Sequence, residues 1–228
     1  MDWYPLINSL RIAAISAAIV FFLGVWLARA IVRLPHAFRG ALDVVLTLPL
    51  VLPPTVVGYL LLRLVGPRRP LGMLLAAFDL RLTMVWPAAV LASVVVSLPL
   101  MYRTARGAFE GFDETLAHAA RTLGKPESWI FWRVTMPCCT QGIVAGVVLA
   151  FARALGEYGA TAMVCGYTPG STATVSTTVY QLWRTGDDAG ALSWVLVNLA
   201  ISAVVLLAVN LIERKGARRP ARAGRVIA

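Results

Sequence analysis

Arg153 and Glu157 have the types and spacing to do chemistry together. They stand four residues apart in "FARALGEYGAT", at the end of a long uncharged apolar run. On a helix that spacing puts both on one face, where they can pair. Ionisable groups inside a membrane segment are costly and turn toward a bundle interior or a cavity. A pair already level with the outer headgroups is the other reading. Little else in the chain could carry a reaction. Cys138, Cys139, Cys165, His36 and His118 make no metal-ligand spacing, and the cysteines read as small apolar fillers. No clustered His, Cys, Asp and Ser set suggests an enzyme site. There is no G-x-x-x-x-G-K-[ST]: Gly124–Lys125 is followed by Pro126 and has Ala119, not glycine, five residues before. Nucleotide phosphates are therefore not cradled by that motif.

The elements that hold these residues are apolar. Of 228 residues, 59% are hydrophobic and 14% charged, against roughly 45–50% and 25% in a soluble domain. The stretches 12–28, 44–62, 82–102, 134–152 and 189–212 carry no Asp, Glu, Lys or Arg. A span needs about 20 apolar residues, and helices satisfy the backbone at this spacing. The expectation is an all-α polytopic membrane protein of one domain with five transmembrane helices, about 8–32, 43–63, 82–104, 137–160 and 189–212. The first is no cleavable signal, since Asp2 is the first charge and the run is long.

The net charge of +10 is better explained by membrane topology than by nucleic-acid binding. Arg29, Arg33 and Arg39 follow the first span, and a basic tail, 213–228, follows the fifth. By the positive-inside rule both places are cytoplasmic. With five spans the N-terminus is then outside and the C-terminus cytoplasmic. Arg63, Arg68, Arg69 and Arg81 lie in a loop that this topology puts outside. The end of the tail is expected to be disordered.

The second span holds Pro49, Pro53, Pro54 and Gly58. Three prolines in six residues should break or kink it. A broken helix at membrane depth is tolerated where it faces protein or a water-filled cavity, so it lines a path or serves packing. Gly142 and Gly146 form a GxxxG on the fourth span, which favours close helix packing. The stretch after Glu157, rich in Gly, Ser and Thr, reads as an external loop with a short helix or as a re-entrant piece.

"HAARTLGKPESWIFWRVTMP", residues 118–137, interrupts the apolar pattern between spans three and four. Asp113 can cap a helix, Leu116, Ala119, Ala120 and Leu123 fall at helical spacing, Gly124 can end it in a left-handed turn, and Pro126 suits the start of a second helix. This is a helix–turn–helix, 113–136, lying along the cytoplasmic membrane surface. A small-residue face on its first helix allows another backbone to approach. An interfacial helix resting on lipid is the plainer reading.

The segment resembles the EAA loop of ABC importer permeases: Glu-Ala-Ala, three residues, Gly, nine residues, Ile-x-Leu-Pro. Here Ala119, Ala120, Gly124 and Val134 to Pro137 keep the spacing, and His118 stands where the Glu would be. "LPLVLPPTVVGYLLL" and "FARALGEYGATAMV" are similar to the molybdate permease family in particular. Sulfate and tungstate permeases share the Gly-Glu-Tyr/Phe-Gly element.

The resemblance implies an inner-membrane permease working as a homodimer, with two separate ATP-binding subunits that hold ATP and Mg, and an external oxyanion-binding protein. The chain itself would bind no cofactor. His118, Ala119, Ala120, Gly124 and Pro137 would dock the ATPase. Pro53, Pro54, Thr55, Gly58, Arg153, Gly156, Glu157, Gly159 and Thr161 would line the path. Sulfate, tungstate or another small solute as cargo remains an alternative. So does an ion-coupled secondary carrier with Arg153 and Glu157 as relay, although no inverted repeat supports it.

Overall fold

A computed structural model describes residues 2–78 and 82–217. Among them there is no strand. The elements are α1 (Tyr4–Val32), α2 (His36–Val51), α3 (Pro54–Val65), α4 (Pro70–Ala77), α5 (Trp86–Glu110), α6 (Glu114–Thr122), α7 (Glu127–Ile130), a π-helical turn (Phe131–Thr135), α8 (Met136–Leu155), α9 (Gly159–Cys165), α10 (Val175–Arg184) and α11 (Asp188–Ala217). Asp79, Arg81 and the tail from 218 lie outside the described residues.

Four helices are long and apolar enough to cross a membrane: α1, α5, the rod 127–155 and α11. The expected second span, 43–63, is not one straight crossing. Its halves, 38–51 and 54–65, meet at 114°. The cause is the tandem proline. A residue before proline is pushed out of the helical region, and both Leu52 (ψ 141°) and Pro53 (ψ 135°) are extended. Among the described residues there are thus four helices able to cross a membrane, or five if this bent pair is counted as one span.

α5 is the central element and the most buried of the four. It runs parallel to α1, because Trp86 Nε1 donates to Asn8 Oδ1 at 2.6 Å near the starts of both helices. α8 packs antiparallel on α5 through the predicted glycine pair. A Cβ on Gly142 would meet the Ala108 methyl at 2.8 Å, and one on Gly146 would strike the Thr104 side chain. The start of α11 returns to the start of α1, where Trp3 and Trp194 rings sit 6.0 Å apart. The ends of α1 and α5, the start of α2 and the 113–136 segment therefore gather at one end of the bundle. The starts of α1, α5 and α11 gather at the other.

That far end is stitched by polar contacts. Tyr4 Oη donates to the Ser171 carbonyl (2.6 Å), Asn8 Nδ2 to the Ala173 carbonyl (2.9 Å), and the Val175 N–H to Ser9 Oγ (2.9 Å). The Gly-, Ser- and Thr-rich stretch is thereby a loop carrying α10, which Thr174 and Thr177 start with a capping box.

Candidate functional site

The end of the fourth span differs from the expected 137–160. α8 stops at Leu155, Gly156 to Tyr158 turn the chain, and α9 begins at Gly159. Glu157, 3% exposed, holds this elbow together. Its Oε2 accepts from Arg153 Nη1 at 2.6 Å and its Oε1 from the Ala160 N–H at 2.7 Å. One carboxylate thus pairs with the last basic residue of α8 and satisfies an orphan donor at the start of α9. The charge is answered inside the chain.

The two broken segments are packed on each other. A Cβ on Gly58 would lie 2.8 Å from Ala160 Cα, and one on Gly159 would lie 2.9 Å from Pro54 Cβ and 3.1 Å from the Thr55 nitrogen. Side chains at 58 and 159 would force α3 and α9 apart. Of the residues expected on the path, Gly58, Glu157, Gly159 and Thr161 are buried within the chain, while Pro53, Thr55 and Gly156 are exposed. Gly58 and Gly159 are the points of closest contact between α3 and α9 within the chain.

At the other end, Asp113 caps α6, its side chain accepting from the Thr115 N–H at 2.9 Å. Gly124 has φ +71°, its N–H bonds the Arg121 carbonyl (2.9 Å), and the Lys125 N–H bonds the Ala120 carbonyl (3.2 Å). These are the two bonds of a Schellman stop. Ala117 and Ala120 are buried with Ile130 in a small cluster of their own. Ala120 therefore fastens α6 to α7. The outward side carries Leu116 (47% exposed), His118, Ala119 and Leu123 (76%).

The second half of the segment is no separate surface helix. α7, the π turn and α8 form one rod from 127 to 155. Pro137 lacks an N–H and its ring crowds the carbonyl four residues back. The wider π turn over 131–135 accommodates that interruption without breaking the rod. α6 is thereby hinged at Gly124 onto the helix that leads to Arg153 and Glu157.

The joint between α6 and α7 carries a charged cluster. Arg121 Nε donates to Glu127 Oε1 at 2.5 Å, its Nη1 meets His118 Nδ1 at 3.2 Å, and Glu114 lies 3.9 Å away. The Arg121 hydrogen bond holds the Glu127 carboxyl below its usual range and raises Arg121 in turn. The Thr115 hydroxyl does the same to Asp113. With His118 at the family's Glu position, Glu114 remains beside Arg121 with its side chain 70% exposed.

One polar cluster went unread in the sequence. Tyr102 Oη donates to Asp43 Oδ1 at 2.8 Å. Arg106 pairs with Asp43 and, through Nε at 2.9 Å, with Glu110, which also pairs with Arg39. It ties the start of α2 to the end of α5, beside the hinge. The i,i+4 spacing of Arg106 and Glu110 was the available signal, but Asp43 and Arg39 join it only through the fold.

Residues 20–218 match the family model described as "Binding-protein-dependent transport system inner membrane component". The chain is 39% identical over 223 residues to the Molybdenum transport system permease protein ModB of Escherichia coli strain K12, covering 97% of each. It is 36% identical over 215 residues to the protein of that name from Mycobacterium tuberculosis, covering 94% of this chain and 79% of that one. Its fold is similar to that of a bacterial alginate ABC transporter in complex with alginate pentasaccharide-bound periplasmic protein, with TM-score 0.73, 19% identity and coverage of 94% and 79%. The chain belongs to the family of binding-protein-dependent transport system inner membrane components.

Proposed function

We infer that this chain is the inner-membrane permease subunit of an ATP-binding-cassette importer for molybdate. The observation that carries the cargo is the end-to-end match to a molybdenum permease, in which both the Pro-Pro and the Gly-Glu-Tyr-Gly segments fall. In this reading two copies enclose the path, and the broken pair α2–α3 with the α8–α9 elbow forms its wall around exposed Pro53 and Thr55. Arg153 and Glu157 cancel, so the elbow adds no net charge to the route of an oxyanion. Selection of the anion then falls mainly to an external binding protein.

The hinge at Gly124 is the part that answers a separate ATPase subunit, which binds ATP and Mg. Apolar Leu116 and Leu123 flanking Ala119 suit the helix-in-groove mode of recognition. A push on α6 reaches the elbow along the rod 127–155. The gathering of Arg29, Arg33, Arg39, Arg103 and Arg106 at the hinge end favours a cytoplasmic location for it, with the N-terminus outside. The test is reconstitution in proteoliposomes with the ATPase and the binding protein. ATP-dependent uptake of molybdate in preference to sulfate is expected. Uptake driven by an ion gradient with the ATPase absent would sink the reading.

A further inference from the structure

Between the end of α1 and the π turn lies an open cavity of about 540 Å³. Phe22, Trp26, Phe131 and Trp132 give it apolar walls, Arg29 and Arg33 are its charged residues, and no acidic side chain lines it. Phe22, Trp26 and Trp132 are 68%, 66% and 61% exposed, unusual for side chains of this size unless lipid or a partner covers them. The Arg29 guanidinium lies 3.6 Å over the Phe131 ring, which fixes its position at the cavity. Arg33 reaches Glu127 at 3.6 Å, but both side chains are more than half exposed, and such pairs are weak. The cavity therefore keeps a positive character at the end of an apolar helix, at the depth where tryptophans mark the membrane interface.

We propose that this cavity binds one anionic phospholipid from the leaflet on the hinge side. The phosphate sits at Arg29 and Arg33, and an acyl chain lies along Phe22 and Trp26. A zwitterionic headgroup would bring its own cation against two guanidiniums, so the charge pattern favours an anionic lipid such as phosphatidylglycerol. A free phosphate would leave the aromatic walls unused. Phe131 and Trp132 belong to the π turn that joins the hinge to α8, so an occupied cavity stiffens the joint through which the ATPase acts. That last step rests on the function inferred above; the binding itself does not.

The purified complex of permease and ATPase is examined by native mass spectrometry during titration with phosphatidylglycerol or phosphatidylcholine. Phosphatidylglycerol should be retained where phosphatidylcholine is not. Arg33→Gln together with Arg29→Gln should weaken retention about thirtyfold, at the usual strength of an arginine near an anionic headgroup. Arg33→Gln alone and Trp26→Ala should each weaken it measurably, and they leave the Arg29–Phe131 contact in place should the double variant fold poorly. Millimolar inorganic phosphate should not displace the lipid. In nanodiscs, stimulated ATP hydrolysis should depend on phosphatidylglycerol in the wild type and lose that dependence in Arg33→Gln. Equal retention of both lipids, indifference to Arg33→Gln and Trp26→Ala, or displacement by phosphate overturns the site. So does cross-linking between two copies through a cysteine at 26, which would put a second subunit over the cavity. Because retention is read as mass, it can fail while molybdate transport stands.

Discussion

The Glu157 carboxylate lies 2.6 Å from the Arg153 guanidinium and caps the start of α9 with its other oxygen, 2.7 Å from the Ala160 N–H. One side chain thereby joins the last turn of α8 to the first turn of α9 across a break in the fourth span. The arrangement makes Glu157 a structural residue of the elbow and argues against a cargo-selecting role.

Removing one partner of a buried pair leaves an uncompensated charge, which costs about 3–5 kcal/mol. Arg153→Met should therefore lower stability by about 3 kcal/mol, at the lower end because the arginine side chain is 29% exposed. Glu157→Gln should cost less, since an amide oxygen still accepts from Ala160. The double variant should be more stable than Arg153→Met alone. A denaturant titration of the purified permease measures the cycle. Preference for molybdate over sulfate should not change in any of the three, and a changed preference with normal assembly would assign Glu157 to selectivity.

Gly58 and Gly159 face each other's helices: a Cβ at 58 would lie 2.8 Å from the Ala160 backbone, closer than real Cβ atoms come, and one at 159 would lie 2.9 Å from Pro54 Cβ and 3.1 Å from the Thr55 nitrogen, a tight contact. Gly58→Ala and Gly159→Ala should each cost about 1–3 kcal/mol by overpacking, and valine more. Thr55, which is exposed, should accept a cysteine that reacts with small water-soluble thiol reagents in a background lacking Cys138, Cys139 and Cys165. A cysteine at 58 should be inert or misfold. Free reactivity at 58 with normal stability would show that α3 and α9 do not pack as described.

The broken second span was legible because proline acts locally: Leu52 and Pro53 are forced extended by the residues that follow them. Gly124 was legible for the same reason. The break at Gly156 was not. No proline marks it, and the elbow exists because the Glu157 side chain satisfies a donor three residues on. The Asp43, Tyr102 and Arg106 cluster was invisible because its members come from helices separated by a bend and a loop. That α6 turns Ala117 and Ala120 toward α7 was not legible either, because helical spacing alone does not say which of two small-residue faces packs inward.

The Arg121–Glu127 pair at the hinge should be insensitive to pH across the physiological range. Arg121 lowers the Glu127 pKa, so this interaction is fully present above the ordinary glutamate value and is lost only as pH falls through the lowered one. From about pH 6 to about pH 8, Glu127→Gln should change the level of ATPase association by a constant factor. Co-purification measured at several pH values checks this. A step in that window that vanishes in Glu127→Gln would contradict the assignment.

Gly124 gives the sharpest test of the hinge. Its φ of +71° is required by the Schellman stop, yet a Cβ there would meet nothing within 4 Å. The penalty for a side chain is therefore conformational. Asn enters the left-handed region most readily, Ala less so, and Val is a true outlier there. The cost should rise in that order to about 1–3 kcal/mol. If φ governs coupling, stimulated ATP hydrolysis should fall from glycine through Asn and Ala to Val, with the permease still inserted. If instead the position matters because a partner's backbone comes close, Asn should harm as much as Val, being as bulky. The measurement is the amount of ATPase co-purified with each variant, together with hydrolysis stimulated by loaded binding protein. Normal values of both in Gly124→Val would remove the hinge from the coupling route and leave α6 a passive surface helix.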